Sequence, residues 1–264
     1  MSTSSIQQLA DLVALLRSPD GCPWDRQQTL ADARAYLLEE AHEVAAAIDT
    51  ADLDQLAGEL GDLFFQSVFV SALVGEAGGE SLAGILERIH TKMVERHPHV
   101  FGDHTLSSAE EVNRAWESRK ARQTEPGDSI LDGVPVTLPS LLAAYRMTQK
   151  ASGVGFDWPD TRGVLAKIRE ELEELEQAIE RSPATPSPEI VEEIGDLLFA
   201  LVNLSRHLGA DPEGVLAATN RKFRRRFAFI ERQLAAAGQH LGETDLADLN
   251  RLWEQAKQLE EQPG

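Results

Sequence analysis

Apolar positions along this chain recur with a helical period almost throughout. In the first half the pattern predicts helices over Leu30–Ile48, Leu53–Val74, Leu82–Arg96 and Ala109–Arg122. In the second half it predicts Ser140–Ala151, Thr161–Arg181, Glu189–Leu208, Pro212–Ala237 and Asp245–Glu261. Pro98 stops one helix after Arg96, because proline lacks the amide donor and clashes with the preceding turn. Ser107 and Asp160 are expected caps. No period-2 strand stands out, so the expected fold class is all-α. The run Leu197 to Val202 is apolar on every side, which predicts burial inside a bundle or at a subunit interface.

The pattern occurs twice. Gly21-Cys22-Pro23-Trp24 and Gly155-Phe156-Asp157-Trp158 each precede a Glu-Glu-x-x-Glu segment, Glu39 to Glu43 and Glu170 to Glu174. Each is followed by a Glu-x-x-Asp, Glu59 to Asp62 and Glu193 to Asp196. Lys92 to Arg96 and Lys222 to Arg226 follow, then Trp116 to Lys120 and Trp253 to Lys257. Shared landmarks in the same order indicate a duplication, with units at 1–122 and 139–264. The Pro- and Gly-bearing segment 123–138 joins them. A Pro/Ser-rich loop from Ser182 to Pro188 separates the carboxylate helices of the second unit.

Residues three apart on a helix project together. Glu171 with Glu174, Glu193 with Asp196, Glu40 with Glu43 and Glu59 with Asp62 are such pairs. If the helices pack antiparallel, the pairs face each other. Glu-x-x-Asp opens an apolar run, where an uncompensated carboxylate is costly. Oxygen-only donors of this kind suit Mg2+ or Mn2+. A di-iron bundle fits poorly, because it needs Glu-x-x-His and His42 is adjacent to Glu43. Glu39 and Glu170 sit at the edge of the acidic face and could bind a further ion or orient a water.

Lys92 with Arg96 and Lys222 with Arg226 form matched cationic pairs suited to a triphosphate. Trp116 with Lys120 and Trp253 with Lys257 set a ring beside a cation. Such a tryptophan either stacks on a base or anchors a terminal helix in the core. Cys22 has no partner cysteine, and the histidines show no ligand spacing.

Composition narrows the class. A net charge of −19 argues against general nucleic-acid or anionic-membrane binding. One cysteine permits no intrachain disulfide and fits a reducing compartment. Met1 to Arg17 has no signal-peptide pattern, and no stretch approaches the roughly 20 apolar residues of a membrane span. A soluble cytoplasmic protein is expected.

Together, the Gly-Cys-Pro-Trp-Asp start, both carboxylate sets, Val154 to Trp158 and Lys222 to Arg226 resemble the MazG family of all-α nucleoside triphosphate pyrophosphohydrolases. The resemblance covers nearly the whole chain. It implies tandem helical-bundle units, each with a four-helix core, assembled as a homodimer. It also implies Mg2+-dependent hydrolysis of NTPs or dNTPs to the monophosphate and pyrophosphate, a nucleotide-pool housecleaning activity. Metal ligands would be Glu171, Glu174, Glu193 and Asp196, with Glu170 orienting the water. Lys167, Glu170, Lys222, Arg226, Trp253 and Lys257 would contact substrate, and Asn220 base or sugar. In the first unit Glu40, Glu43, Glu59 and Asp62 would hold metal. Glu39, Lys92, Arg96, Trp116 and Lys120 are the remaining equivalents. Tyr36 replaces Lys167 there and His90 replaces Asn220, which places the main activity in the second unit. Rival readings are a non-catalytic nucleotide or metal sensor, a helical scaffold, and a phosphatase releasing orthophosphate.

Overall fold

The computed structural model describes residues 5–102, 108, 111–112, 115–116, 127–182 and 187–261. Among the described residues there are helices and turns but no strand. The chain divides into two compact units, Met1–Thr105 and Leu106–Gly264. The sequence-based ranges differ from this division only in the assignment of residues 106–138. Most of the expected helix 109–122, with Lys120, lies outside the described residues, as does Ser107.

The first unit contains α1 (Ser5–Arg17), α2 (Pro23–Gln27), α3 (Leu30–Thr50), α4 (Leu53–Glu76), α5 (Leu82–Arg96) and α6 (Pro98–Phe101). Local chemistry sets these limits. Thr29 and Asp32 form a reciprocal cap on α3. Hydrogen bonds from Thr29 hold the Asp32 carboxyl below its usual range. Asp52 caps α4 and Ser81 caps α5. Helices α1 and α2 were not among the expected elements. Helix α1 nonetheless supplies Val13, fully buried with Ala33, Val68, Phe69 and Leu73. Side chains of this size contribute about 1.5–3 kcal/mol each when fully buried.

Helix α4 corrects one expectation. It is long and apolar enough to cross a membrane by length and composition alone. Yet it carries Asp54, Glu59, Asp62 and Glu76, and Glu76 pairs with Arg17 at 2.7 Å. Its residues Val68, Phe69 and Leu73 build the core of the unit, as in a bundle helix.

The second unit contains α7 (Ser140–Gly153), α8 (Thr161–Arg181), α9 (Pro188–His207), α10 (Pro212–Ala236) and α11 (Leu246–Glu261). Asp160 caps α8 as expected, accepting from Arg162 and Gly163. Pro188 and Pro212 open α9 and α10 behind Ser187 and Asp211, positions where the missing amide costs nothing. Helices α8 and α9 run antiparallel. Arg181 meets Glu189 at one end, while Val164 and Ala200 line one cavity near the other. Helix α7 packs on α9, and α10 packs chiefly on α11. Ile230, Leu234 and Leu252 form a buried cluster there, backed by Leu249 and Trp253.

The apolar run of α9 is not buried on every side within the unit. Ala200, Val202 and Asn203 face inward, whereas Leu198, Phe199 and Leu201 are 50%, 43% and 43% exposed. One helix face packs on α7 and α8, and no described element of the unit covers the other.

Candidate functional site

The antiparallel pair α8–α9 brings together acids that are far apart in sequence. Glu171, Glu193 and Asp196 each offer an oxygen within 4.8 Å of the others. Glu171 is 4% exposed, the only buried acidic residue among those described. Its compensation is local: Lys167 Nζ lies 2.6 Å from Glu171 and 2.8 Å from Glu170. Hydrogen bonds to Glu170 and Glu171 hold the Lys167 ammonium well above its usual range. The Glu193 carboxyl is pushed up by partial desolvation, then by Glu174, Glu171, Asp196 and Glu192. Glu174 lies outside the tight trio but close enough to act on Glu193. One ammonium against three grouped carboxylates leaves negative charge that a divalent cation fits.

The first unit repeats the acids with Tyr36 at the position of Lys167. Glu40, Glu43 and Glu59 lie within the same 4.8 Å limit. Desolvation, then Glu43, Asp62, Glu39 and Glu59, pushes the Glu40 carboxyl up. Tyr36, in the place of Lys167, meets Trp24 edge-on with centroids 5.8 Å apart.

A cavity of about 420 Å³ opens beside the second trio. Lys167, Glu171 and Asp196 line one part of it. Phe156, Trp158, Met147, Phe199 and Asn203 line much of the rest. Gly155 makes the entry turn with φ +91°, a conformation that favours glycine. Gly163 lets Trp158 lie against α8: a Cβ there would come 2.3 Å from the indole Cδ1. Asp157 accepts from Arg206 and from His207 Nε2, the latter at 2.9 Å. Its carboxyl is raised by burial but lowered further by bonds from Arg206, Ser152 and His207, so the net shift is down.

The basic set sits elsewhere in the unit. Lys222 is exposed on α10 and pairs with no described residue. Arg226 lies 5.4 Å over the Trp253 ring and pairs with Glu260 at 2.8 Å. Trp253 also meets Phe223, with centroids 5.2 Å apart, and packs against the α10–α11 core. Lys257 pairs with Glu254. Neither these residues nor Asn220 line the cavity. In the first unit Lys92 is exposed, Arg96 and Trp116 have partners, and Lys120 lies outside the described residues.

Sequence reasoning missed the cavity wall. Asn203 lies seven residues after Asp196, hence on the same face two turns on. An amide closing an apolar run at that spacing is the signal that could have found it.

Two segments of the chain, residues 28–101 and 161–228, match the MazG nucleotide pyrophosphohydrolase domain. A nucleoside triphosphate pyrophosphohydrolase of Escherichia coli strain K12 is 40% identical over 260 residues, 97% of this chain and 98% of the relative. A nucleoside triphosphate pyrophosphohydrolase/pyrophosphatase MazG of Thermotoga maritima is 40% identical over 252 residues, 95% of each chain. The protein YabN of Bacillus subtilis is 40% identical over 251 residues, 94% of this chain and 51% of the relative.

Proposed function

The chain belongs to the MazG nucleotide pyrophosphohydrolase family, and on that premise we propose that its second unit hydrolyses nucleoside triphosphates to monophosphate and pyrophosphate. The observation that carries this reading is the trio Glu171, Glu193 and Asp196, paired among the described residues with Lys167 and opening on a cavity.

Glu171, Glu174, Glu193 and Asp196 would hold a divalent cation, Mg2+ or Mn2+ by the hardness of the oxygen donors. When bound, such a cation offsets phosphate charge and acidifies a coordinated water. Glu170, held by Lys167 at the rim of the trio, orients the attacking water. Attack at the α-phosphorus breaks its bond to the bridging oxygen, so pyrophosphate leaves and the monophosphate takes the hydroxyl. Lys167, which lines the cavity, meets the charge that develops on the phosphates. Lys222, Arg226, Trp253 and Lys257, with Asn220, complete the substrate-contacting set.

The first unit, with Glu40, Glu43, Glu59 and Asp62, would bind the same cation and serve a weak, regulatory or structural role. Val191, Ile194, Leu198 and Leu201 share one face of α9 and are 43–60% exposed, which supports a homodimer closing over that face. The charge of −19 supports a partner list of nucleotides rather than nucleic acid. A reducing, cytoplasmic setting suits the single cysteine.

The test is a screen of NTPs and dNTPs with separate detection of pyrophosphate and orthophosphate, with and without Mg2+. Metal-dependent pyrophosphate release is expected. Orthophosphate as the product would make the protein a phosphatase, and binding without product would make it a sensor.

A further inference from the structure

The cavity of the second unit has two chemically distinct ends. Lys167, Glu171 and Asp196 mark one. Asn203 marks the other, about 10 Å further along α9 at a rise of about 1.5 Å per residue. Between them stand aromatic and aliphatic side chains, among them Phe156, which is 80% exposed.

Asn203 is 4% exposed, and its amide is oriented by its neighbours. Its Oδ1 accepts from Arg206 Nε at 3.0 Å and Nη2 at 2.9 Å. Arg206 is itself held by Asp157, which also binds His207. Turning the amide over would set its NH2 against a guanidinium, so the orientation is fixed. The Nδ2 group bonds to no described residue. Nor is it sealed from solvent, since no described side chain has a buried polar atom without a partner. A pure donor therefore faces the cavity.

The first unit provides an internal control. By the register that equates Asp62 with Asp196, Phe69 stands for Asn203 and Gln66 for Ala200. Tyr36 stands for Lys167. The equivalent space, lined by Trp24, Tyr36, Phe65, Gln66 and Phe69, shrinks to about 20 Å³. Both units keep the acids, but among the described residues the wide space with an amide at the Asn203 position stands beside the second set alone.

We infer that this cavity is the nucleobase subsite and that Asn203 selects bases presenting an oxo group at pyrimidine C4 or purine C6. The inference rests on the triphosphate reading, which puts phosphates at the carboxylate end and the far edge of the base at Asn203. Phe156 and Trp158 provide faces for stacking. An amino group at the far edge would set donor against donor and leave both unpaired. Trp253, the other aromatic available to a base, already carries Arg226 over its ring.

Pyrophosphate release by the full chain is compared for dUTP against dCTP and for ITP against ATP. The expected kcat/KM favours the oxo member of each pair by about tenfold, the worth of one buried hydrogen bond. Asn203→Asp keeps the shape and a partner for Arg206 but replaces the donor by an acceptor. Its ratio should fall to one or below in both pairs. A purely structural role would slow both members together and leave the ratio intact. Equal rates in the unaltered protein, or an unchanged ratio in Asn203→Asp, overturns the assignment. Should no triphosphate yield pyrophosphate, the hydrolase reading fails, and calorimetry with Mn2+ then decides the base subsite. Tighter binding of α,β-imido-dUTP than of α,β-imido-dCTP supports it; equal affinity overturns it. Asn203→Phe, which installs the residue of the first unit, should abolish binding of both analogues, and retained binding would place the base elsewhere.

Discussion

Two antiparallel helix pairs in this chain carry the same acids at the same spacing. In the first, α3–α4, the residue one turn before the Glu-Glu pair is Tyr36, whose ring meets Trp24 rather than the acids. In the second, α8–α9, it is Lys167, whose ammonium bridges Glu170 and Glu171. The pairs differ again two turns beyond the aspartate. Phe69 is 4% exposed, sits in the core of the first unit and lies 5.1 Å under Arg17. Asn203 is equally buried but faces a cavity of about 420 Å³. On the proposed reading a metal site and a substrate site are thus separable requirements: acids at helical spacing would serve the first, while the second would also need a counter-cation and unfilled volume.

The strongest test of this contrast removes one equivalent acid from each unit. Glu171→Gln should lower pyrophosphate release by at least about a hundredfold, because it disables both cation binding and the partner of Lys167. Glu40→Gln should change it less than about twofold. Similar losses in both variants would make the units equal and break the comparison.

Exchanging the residue at the counter-cation position is the next largest change. Lys167→Tyr should cost roughly ten- to a hundredfold in kcat/KM, the range for losing a charged donor to phosphate. Tyr36→Lys should add no activity, since the space beside it stays filled by Phe65 and Phe69. Activity gained by the first unit in Tyr36→Lys would show that charge alone separates the two.

A smaller effect comes from Gly163, whose counterpart in the first unit is Asp32. Gly163→Ala puts a methyl where the Trp158 ring lies, and the ring must move. KM should rise several-fold with kcat little changed, as expected for lost ground-state binding. Unaltered KM would free Trp158 from any role at the cavity.

The smallest effect is on melting of the metal-free protein. Glu40 and Glu193 hold their protons more tightly when folded, so their contribution to stability falls as pH rises above the unfolded carboxylate value of about 4.3. Glu40→Gln and Glu193→Gln should therefore each raise the metal-free Tm at pH 7 by on the order of one or two degrees. Each should also weaken stabilisation by Mg2+. A fall in Tm in EDTA would show that the acids are not crowded.

Much of the fold was legible before any coordinates. Leu82–Arg96 and Thr161–Arg181 appear with the limits that the pattern gives, and the other expected helices among the described residues shift by one or two residues at one or both ends. Caps and prolines act within a turn, so sequence reports them directly. Helix α1 was missed although Ile6, Leu9, Val13 and Leu16 keep helical spacing, and its Leu9, Ala10 and Val13 pack in the core of the unit. The candidate site was legible as far as its acids. Glu171, Glu193 and Asp196 meet as their spacing requires. The pairing of Lys167 with Glu171 is also a one-turn contact. Arg226 with Trp253 and Glu260 was not readable, since it depends on how α11 returns along α10.

By itself the sequence determined the helices, their duplication and the acidic faces. Each rests on contacts between residues three, four or seven apart on one helix, and local geometry dictates those. Tertiary structure alone decided which of the two acidic faces has space beside it. That space depends on Phe156 and Trp158 from the loop, Met147 from α7 and Asn203 from α9 arriving together, with Asp157 reaching 49 residues along the chain to Arg206. Volume left between packed helices is a property of several elements at once, and no periodicity along one of them records it.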